Sequence, residues 1–315
     1  MARGVKALSQ AAASVPSGPD KARRAILLGL GGLWLLDGLL QMQPYMFTMN
    51  LIAQVLRPVA AGQPWWLARL IDWSIALVTP HLPVFNWAIV LLQIMIGLSL
   101  WSGRRSLVTA GLWLSIAWGL AVWVFGEGIG GLLTGSPTFL SGAPGSVLLY
   151  VVAAALLLLP EDWWYLDPAK RFDVATLAVG LNLYLAALLE IRPMFWTNSG
   201  LSGVLGPQLA APQPSWLRTS LATAISAMRL DPALFNGILI ALFLVCATLL
   251  LLRPERSGSV WLAFALLAFV WWLGQDVGML FSGQATDPNS APVLALLLYA
   301  GWASRNAGRG SYFSA

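Results

Sequence analysis

The chain has 315 residues, of which 58% are hydrophobic and only 10% charged, and its mean hydropathy is +0.74. Soluble domains carry about 25% charged residues, so this composition excludes a protein whose whole surface faces water. The formal net charge of +5 comes from short basic clusters between apolar runs, and without a basic face the sequence argues against nucleic-acid binding.

The first 24 residues are rich in Ala, Ser, Gly and Pro and carry five basic residues. They predict a flexible cytoplasmic tail, because the apolar run from Ala25 lacks the cleavage site of a signal peptide. A membrane-spanning helix needs about 20 mostly apolar residues. Eight runs approach this length and predict eight spans: Ala25–Gln43, Leu82–Trp101, Ser106–Phe125, Gly145–Leu159, Val174–Ile191, Ala233–Leu252, Val260–Leu273 and Ala291–Trp302.

The basic residues predict the orientation of these spans. With the N-terminus in the cytoplasm, the inner segments hold 13 Lys and Arg residues and the outer segments hold 5. Cytoplasmic loops of membrane proteins carry an excess of Lys and Arg, so this distribution supports eight spans with both termini inside. The sequence therefore predicts a multi-pass protein of a bacterial-type inner (plasma) membrane.

The two halves share a pattern at an offset of about 148–150 residues. The matches pair Pro44 with Pro193, Phe85-Asn86 with Phe235-Asn236, Trp113 and Trp123 with Trp261 and Trp271, and Gly126–Thr138 with Gly274–Thr286. An ordered series of this kind predicts an internal duplication. Because each unit has an even number of spans, the copies should be related by an axis along the membrane normal.

These observations predict an all-α, polytopic transmembrane bundle of about eight spans in two parallel four-helix repeats. The repeats cover residues 25–160 and 174–303. A cytoplasmic linker at 161–173 joins them, and a cytoplasmic tail follows at 304–315.

A long outer loop follows the first span of each repeat, at Pro44–His81 and Pro193–Asp231. Both loops contain amphipathic stretches, such as Trp65–Leu77, which predict helices in the membrane interface or folded over the bundle. Their tryptophans fit an interfacial belt. An aromatic-lined mouth for a flat or amphiphilic ligand is the alternative interpretation.

Four carboxylates are predicted near the outer face, where burial makes polar groups costly. Asp37 lies about 18 Å along the first span, past the midplane of a bilayer core about 30 Å thick. Glu127, Glu190 and Asp276 each lie at the outer end of a span. Arginines on the same side offer a structural alternative, in which ion pairs such as Glu190 with Arg192 hold the loops to the helix ends.

The charged residues do not follow the duplication. Asp37 corresponds to Ala186 and Glu127 to Gln275, so a site belongs more plausibly to the first half. The candidate catalytic residues are Asp37 and Glu127. The candidate ligand-binding residues are Trp34, Arg57, His81, Arg192 and Asp276.

No cofactor motif accompanies these residues. The segment Gly126–Gly131 has the spacing GxGxxG but follows a transmembrane span, whereas a dinucleotide-binding fingerprint follows a strand. Cys246 is the single cysteine and His81 the single histidine, so the sequence predicts neither an internal disulfide nor a metal site built from several histidines.

The four-span unit, its long first outer loop and the glycine-rich segments Gly126–Gly135 and Gly274–Gly283 resemble the DoxX/DoxD-like family of small bacterial membrane proteins, here in tandem. That family includes membrane subunits of thiosulfate:quinone oxidoreductases. The resemblance implies a subunit or anchor of a quinone-linked, respiratory or sulfur-type oxidoreductase, with quinone as cofactor and membrane lipids and other subunits as partners. Two alternatives stay open: a structural subunit of a larger membrane complex, and a proton-coupled transporter or lipid-binding protein.

Overall fold

A computed structural model describes residues 18–168 and 172–306. Residues 1–17, 169–171 and 307–315, with the parts of the predicted tails and linker that fall on them, lie outside the described residues. Ten helices form the body of the protein: α1 (Gly18–Gln41), α2 (Trp65–Val78), α3 (Leu82–Trp101), α4 (Arg105–Phe125), α5 (Ser146–Leu158), α6 (Val174–Glu190), α7 (Ser215–Leu230), α8 (Pro232–Leu252), α9 (Ser257–Phe269) and α10 (Ser290–Asn306).

Short elements connect these helices. Two antiparallel strands, β1 (Tyr165–Asp167) and β2 (Phe172–Asp173), lie between α5 and α6. Two π-helical segments occur, Leu51–Leu56 before α2 and Val270–Gly274 at the end of α9, and two short α-helices, Arg57–Ala60 and Gly200–Leu205. The 3₁₀ turns are Pro44–Phe47, Thr79–His81, Ile129–Gly131, Phe139–Ser141, Glu161–Trp163, Pro193–Trp196, Gly206–Ala210 and Asp276–Met279. The described residues thus confirm the all-α class, apart from the one small hairpin.

Five helical segments of the described chain are long and apolar enough to cross a membrane, which suggests a membrane protein. They are Pro19–Gln41, Trp65–Trp101, Arg105–Phe125, Pro232–Leu252 and Ser257–Gly274. The other three predicted spans correspond to α5, α6 and α10, which have 13, 17 and 17 residues. Trp65–Trp101 joins α2 to α3, so the amphipathic stretch of the first outer loop continues into a predicted span.

The element order occurs twice along the chain. Each half has a long helix, a 3₁₀ turn that begins with Pro, an amphipathic helix, two further helices, a left-handed turn and a last helix. Equivalent hydrogen bonds recur within this order. Asn86 Nδ2 donates to the Gln41 carbonyl at 3.0 Å, and Asn236 Nδ2 donates to the Glu190 carbonyl at 2.8 Å.

The central core lies where α1, α5, α6 and α10 meet. One face of α1 is buried at helical spacing from Ile26 through Leu30 and Trp34 to Asp37. By contrast, the outer faces of α3, α4, α8 and α9 expose large apolar side chains, such as Leu91 at 61%. Exposed apolar surface of this extent would be unstable in water, so it is the surface that lipid would cover.

The helix boundaries extend into segments that the sequence had assigned to tails. Residues 18–24 form the first turns of α1, where Arg23 donates to the carbonyls of Leu157 and Leu159 at the end of α5. At the other end of the chain, α10 continues to Asn306. The Arg23 side chain thus binds carbonyls that lack a partner within α5, at a helix C-terminus where the macrodipole favours positive charge.

A buried ion pair joins the start of α6 to the end of α10. Asp173 caps α6 by accepting a hydrogen bond from the Thr176 amide at 2.8 Å. Its other oxygen contacts Arg305 Nη1 at 2.9 Å. Asp173 is fully buried and Arg305 is 6% exposed, so the two charges neutralise each other inside the protein.

Four consecutive residues after α4, 128–131, and four after α9, 276–279, have positive φ angles between 49° and 67°. Only glycine adopts this left-handed conformation without steric cost. In the first turn, Gly130 also lies against the Pro144 carbonyl, so that an added Cβ would collide with the Pro144 oxygen. This close approach fixes the path of the chain between α4 and α5, where Glu127 is located.

We expect Gly130→Ala to destabilise the protein by about 2–5 kcal/mol, the combined cost of a left-handed alanine and of overpacking against backbone. Gly135→Ala in the same loop is the matched control, because Gly135 has no neighbouring atoms within 4 Å of an added Cβ. Thermal unfolding in detergent should show a much lower Tm for the first variant only. Equal Tm values would contradict this account of the turn.

Candidate functional site

A cavity of about 350 Å³ opens within the first half of the molecule. Its walls come from α1, α2, α3, α4 and the start of α5, and one segment before α10 closes it. Ligand sites of small molecules typically enclose 300–1,000 Å³. The polar and aromatic residues among its lining are Trp34, Asp37, Gln41, Trp73, Ser74, Phe85, Gln93, Trp118, Phe125, Glu127, Thr286 and Asp287.

Asp37 lies at the buried end of the cavity. Its side chain is 1% exposed, and Tyr150 donates its hydroxyl proton to Asp37 Oδ1 at 3.2 Å. The Tyr150 ring packs edge-on against Trp34, with ring centroids 5.0 Å apart, and Trp34 Nε1 donates to Ser115 at 2.8 Å. Packing and hydrogen bonds therefore hold the Asp37 carboxyl in one position, because its neighbours are fixed by their own contacts.

Glu127 follows α4 and turns back toward α5. Its Oε1 accepts hydrogen bonds from the Ser146 hydroxyl at 2.7 Å and the Val147 amide at 3.2 Å, two groups at the start of α5. Its Oε2 is shielded from solvent without a hydrogen-bond partner among the described residues. Burial, and secondarily the charge of Asp287, raise the pKa of Glu127 to about 8 despite the hydrogen bonds, which lower it. The residue is thus able to hold or release a proton near neutral pH.

A third carboxylate, Asp287, enters the cavity from the second half of the chain. It precedes α10 and is oriented by its own turn, since Oδ1 accepts from the Asn289 amide at 2.7 Å and Oδ2 from the Thr286 hydroxyl at 2.9 Å. No Lys, Arg or His is present among the described residues that line the cavity. With three carboxyls and no basic side chain among its described lining residues, the cavity is acidic and can bind protons.

Three of the seven predicted site residues meet in this cavity: Trp34, Asp37 and Glu127. The other four lie outside its lining. Arg57 and His81 are exposed in the segment between α1 and α3. Arg192 is half-buried just after α6, and Asp276 is buried in the second left-handed turn.

The Asp276 carboxylate makes fewer hydrogen bonds than the carboxylates of the cavity. Neither of its carboxylate oxygens has a hydrogen-bond partner among the described residues, and burial raises its pKa to about 6. Its backbone has a φ of 49°, so the residue belongs to a strained turn. It is spatially separate from the cavity lining.

Several residues that the sequence reasoning did not select complete the site, namely Gln41, Gln93, Trp118, Tyr150 and Asp287. Trp73, one of the loop tryptophans considered for an aromatic-lined mouth, also lines the cavity. Gln93 is 7% exposed, and its Oε1 has no partner among the described residues. A Gln in the middle of the apolar run Leu82–Trp101 was a usable signal, because a polar side chain there is costly. No comparable signal pointed to Asp287, since an Asp-Pro pair also begins ordinary turns.

The corresponding region of the second half contains a buried pair of aromatic side chains. Phe139 is fully buried and packs edge-on against Phe243, with ring centroids 5.5 Å apart. The Phe139 amide and the Thr138 hydroxyl both donate to Glu190 Oε1. Gln275, at the position after α9 that corresponds to Glu127, bonds the Ser290 hydroxyl and the Ala291 amide at the start of α10. The loop with Thr138 and Phe139 thus packs into the second half, and the loop with Thr286 and Asp287 lines the cavity of the first half.

We expect Glu127→Gln to fold normally, because Gln275 makes the equivalent contacts in the second half. The pKa of Glu127 is higher in the folded protein, at about 8, than in the unfolded chain. The folded state therefore loses stability as the pH rises from the unfolded-state pKa to about 8. The wild-type Tm should therefore fall across this pH range relative to that of Glu127→Gln. Exposed Glu255→Gln is the control and should follow the wild type. A Tm difference that is independent of pH would contradict the assignment of the proton to Glu127.

No group of three or more His, Cys, Asp or Glu residues in the described chain is arranged to hold a metal ion. No family model matches the sequence, and searches of curated proteins and of solved structures found no significant match. The class of protein therefore rests on the molecule itself: an all-α protein, whose apolar helices suggest a membrane location, with an acidic and aromatic cavity in its first half.

Proposed function

We propose that the chain is the membrane subunit of a quinone-linked oxidoreductase, and that its cavity binds the head group of a quinol. The observation that carries the proposal is the set of three carboxyls, Asp37, Glu127 and Asp287, in one aromatic cavity without a facing base. Oxidation of a quinol releases protons as well as electrons, so its site needs groups that accept protons. Indole rings such as those of Trp34 and Trp118 line the cavity and offer apolar surface against which a flat aromatic head group would pack.

The arrangement suits a division of roles. Tyr150 orients Asp37 by its hydrogen bond, and Asp37 would contact one quinol hydroxyl. In its ionised form, Glu127 would accept one of the two quinol protons at its shielded Oε2, and Asp37 would accept the other. The two electrons would pass to a redox centre on a partner subunit, which the proposal requires.

The proposal includes an architecture of eight spans in two parallel repeats. It is supported by the recurrence of the element order and by matched hydrogen bonds. Trp123 Nε1 donates to the Pro144 carbonyl and Trp271 Nε1 to the Pro288 carbonyl, both at 2.8 Å. The α5, α6 and α10 helices would then cross the membrane together with the connections at their ends. Membership of the DoxX/DoxD-like family remains part of the same proposal.

The second half would be a copy whose site has been filled. In the first half, Asp37 lies four residues before Gln41, whereas Ala186 lies four before Glu190. Gln93 lies seven residues after Asn86, whereas Phe243 lies seven after Asn236. Asp37 and Gln93 thus have apolar counterparts, whereas Gln41 and Glu127 correspond to the polar residues Glu190 and Gln275. Burying polar groups costs free energy, so the presence of Asp37 and Gln93 in the first half alone favours a functional role there.

The test is a quinol-binding titration on the full chain in lipid nanodiscs, with decylubiquinol as the probe. Asp37→Asn and Glu127→Gln should each weaken binding at least ~10-fold, about 1.4 kcal/mol, a typical loss for a hydrogen bond to a charged or polar buried group. Glu255→Gln, an exposed acid away from the cavity, is the matched control. Unchanged binding in both cavity variants would contradict the proposal.

Gentle purification from native membranes provides the second measurement. The proposal predicts a bound quinone and a copurifying subunit with a redox centre, both detectable by mass spectrometry. A large complex that is indifferent to the cavity substitutions would instead favour a structural subunit. Solute uptake driven by a pH gradient, without bound quinone, would favour a transporter.

A further inference from the structure

The exposure of the lining residues changes along the cavity. At the inner end, Trp34, Asp37 and Gln93 are between 0% and 7% exposed. At the other end, Trp73 and Leu77 of α2 are 60% and 63% exposed. Phe85, at the start of α3, is 39% exposed and lines the same end. The cavity therefore has a polar, buried end and an apolar mouth between α2 and α3.

The mouth opens onto the apolar outer surface of α3. Next to Phe85, Val84 and Trp87 are 72% and 47% exposed, and Leu91 and Met95 continue this surface along the helix. These residues belong to the segment Trp65–Trp101, which is long and apolar enough to cross a membrane. A mouth on such a surface faces hydrocarbon in a bilayer, because lipid is what covers the outside of a spanning helix.

The charges inside the cavity restrict the head group of its occupant. Three carboxyls line the cavity, and no Lys, Arg or His stands among its described lining residues. A phosphate or carboxylate head group would find no cation to pair with there, and burying an unpaired charge costs free energy. An uncharged head group that donates hydrogen bonds would instead find acceptors in the carboxyls and in Gln93, whose Oε1 lacks a partner within the described chain.

From these observations we infer that the site takes its ligand laterally from the bilayer, and that the ligand is an amphiphile with an uncharged, hydroxyl-bearing head and a hydrocarbon tail. The head lies beside Asp37 and Gln93, and the tail passes between Trp73, Leu77 and Phe85. The inference rests on the proposed quinol function and adds to it the direction of entry, the place of the tail and the exclusion of anionic lipids.

The apolar mouth should raise the affinity only of ligands that have a hydrocarbon tail. Binding is measured in nanodiscs with two probes, decylubiquinol and the same dimethoxy-methyl hydroquinone head without a tail. Leu77→Gln should weaken decylubiquinol binding at least ~5-fold, since a polar side chain would face the tail, and should weaken binding of the head alone by a much smaller factor. Leu230→Gln on α7 is the matched control, because Leu230 is also an exposed leucine, at 88%, but lies outside the cavity.

A competition experiment tests the head group. Decyl phosphate has the same tail as decylubiquinol and an anionic head, and it should not displace decylubiquinol from the wild-type protein. Displacement by decyl phosphate, or equal effects of Leu77→Gln on both probes, would overturn the inference and leave the quinol function intact. Absence of binding by both quinol probes would overturn the proposed function, and the inference with it.

Discussion

Gln93→Phe is expected to abolish quinol binding without unfolding the protein. Gln93 projects into the cavity, and its Oε1 is buried without a partner among the described residues. Replacing an unpaired polar group by an apolar one removes a desolvation cost, so the Tm should stay equal or rise. The new ring would occupy the space of the ligand, and affinity for decylubiquinol should fall at least ~100-fold, about 2.8 kcal/mol.

The second half provides the precedent for this substitution. Phe243 lies at the corresponding position of α8, where it is fully buried and packs edge-on against Phe139. Gln93→Glu is the companion variant, because it keeps the size of the side chain while changing its chemistry. Retained quinol binding in Gln93→Phe, measured in the same nanodiscs, would mean that the ligand lies elsewhere.

The fold class was predictable because it depends on averages along the chain. A long apolar run must avoid water whatever its neighbours are, so the composition identified helices such as α3, α4 and α8 with nearly the observed bounds. The ends were less predictable. Residues 18–24 lie in α1 because Arg23 binds the carbonyls at the end of α5, a contact between segments more than 130 residues apart.

Part of the site was predictable for the same reason. Asp37 and Glu127 were selected because carboxyls in or beside an apolar run are costly, and both line the cavity. Arg57 and His81 were selected for being on the same side of the membrane, which does not decide whether side chains meet. Asp287 could not be found from its local sequence, since it reaches the cavity through the packing of the second half against the first.

Asp173→Ala is expected to cause the largest loss of stability. The carboxyl of Asp173 both caps α6 and contacts the buried Arg305 at 2.9 Å. Removing one partner of a buried ion pair typically costs about 3–5 kcal/mol, because the remaining charge is left in a poorly solvating environment. Loss of a helix cap adds about 1 kcal/mol. Thermal or denaturant unfolding in detergent should therefore show a much lower midpoint than that of the wild type.

The double variant Asp173→Ala with Arg305→Met separates the two causes. If the buried charge of Arg305 is responsible, removing it should recover most of the ion-pair contribution, and only the cost of the lost cap should remain. Asp173→Asn offers a further comparison, because an amide oxygen can still accept from the Thr176 amide while its charge is absent. Full stability of Asp173→Ala would contradict the ion pair as the link between α6 and α10. Equal instability of the single and double variants would assign the effect to the cap alone, because the charge of Arg305 would then contribute nothing.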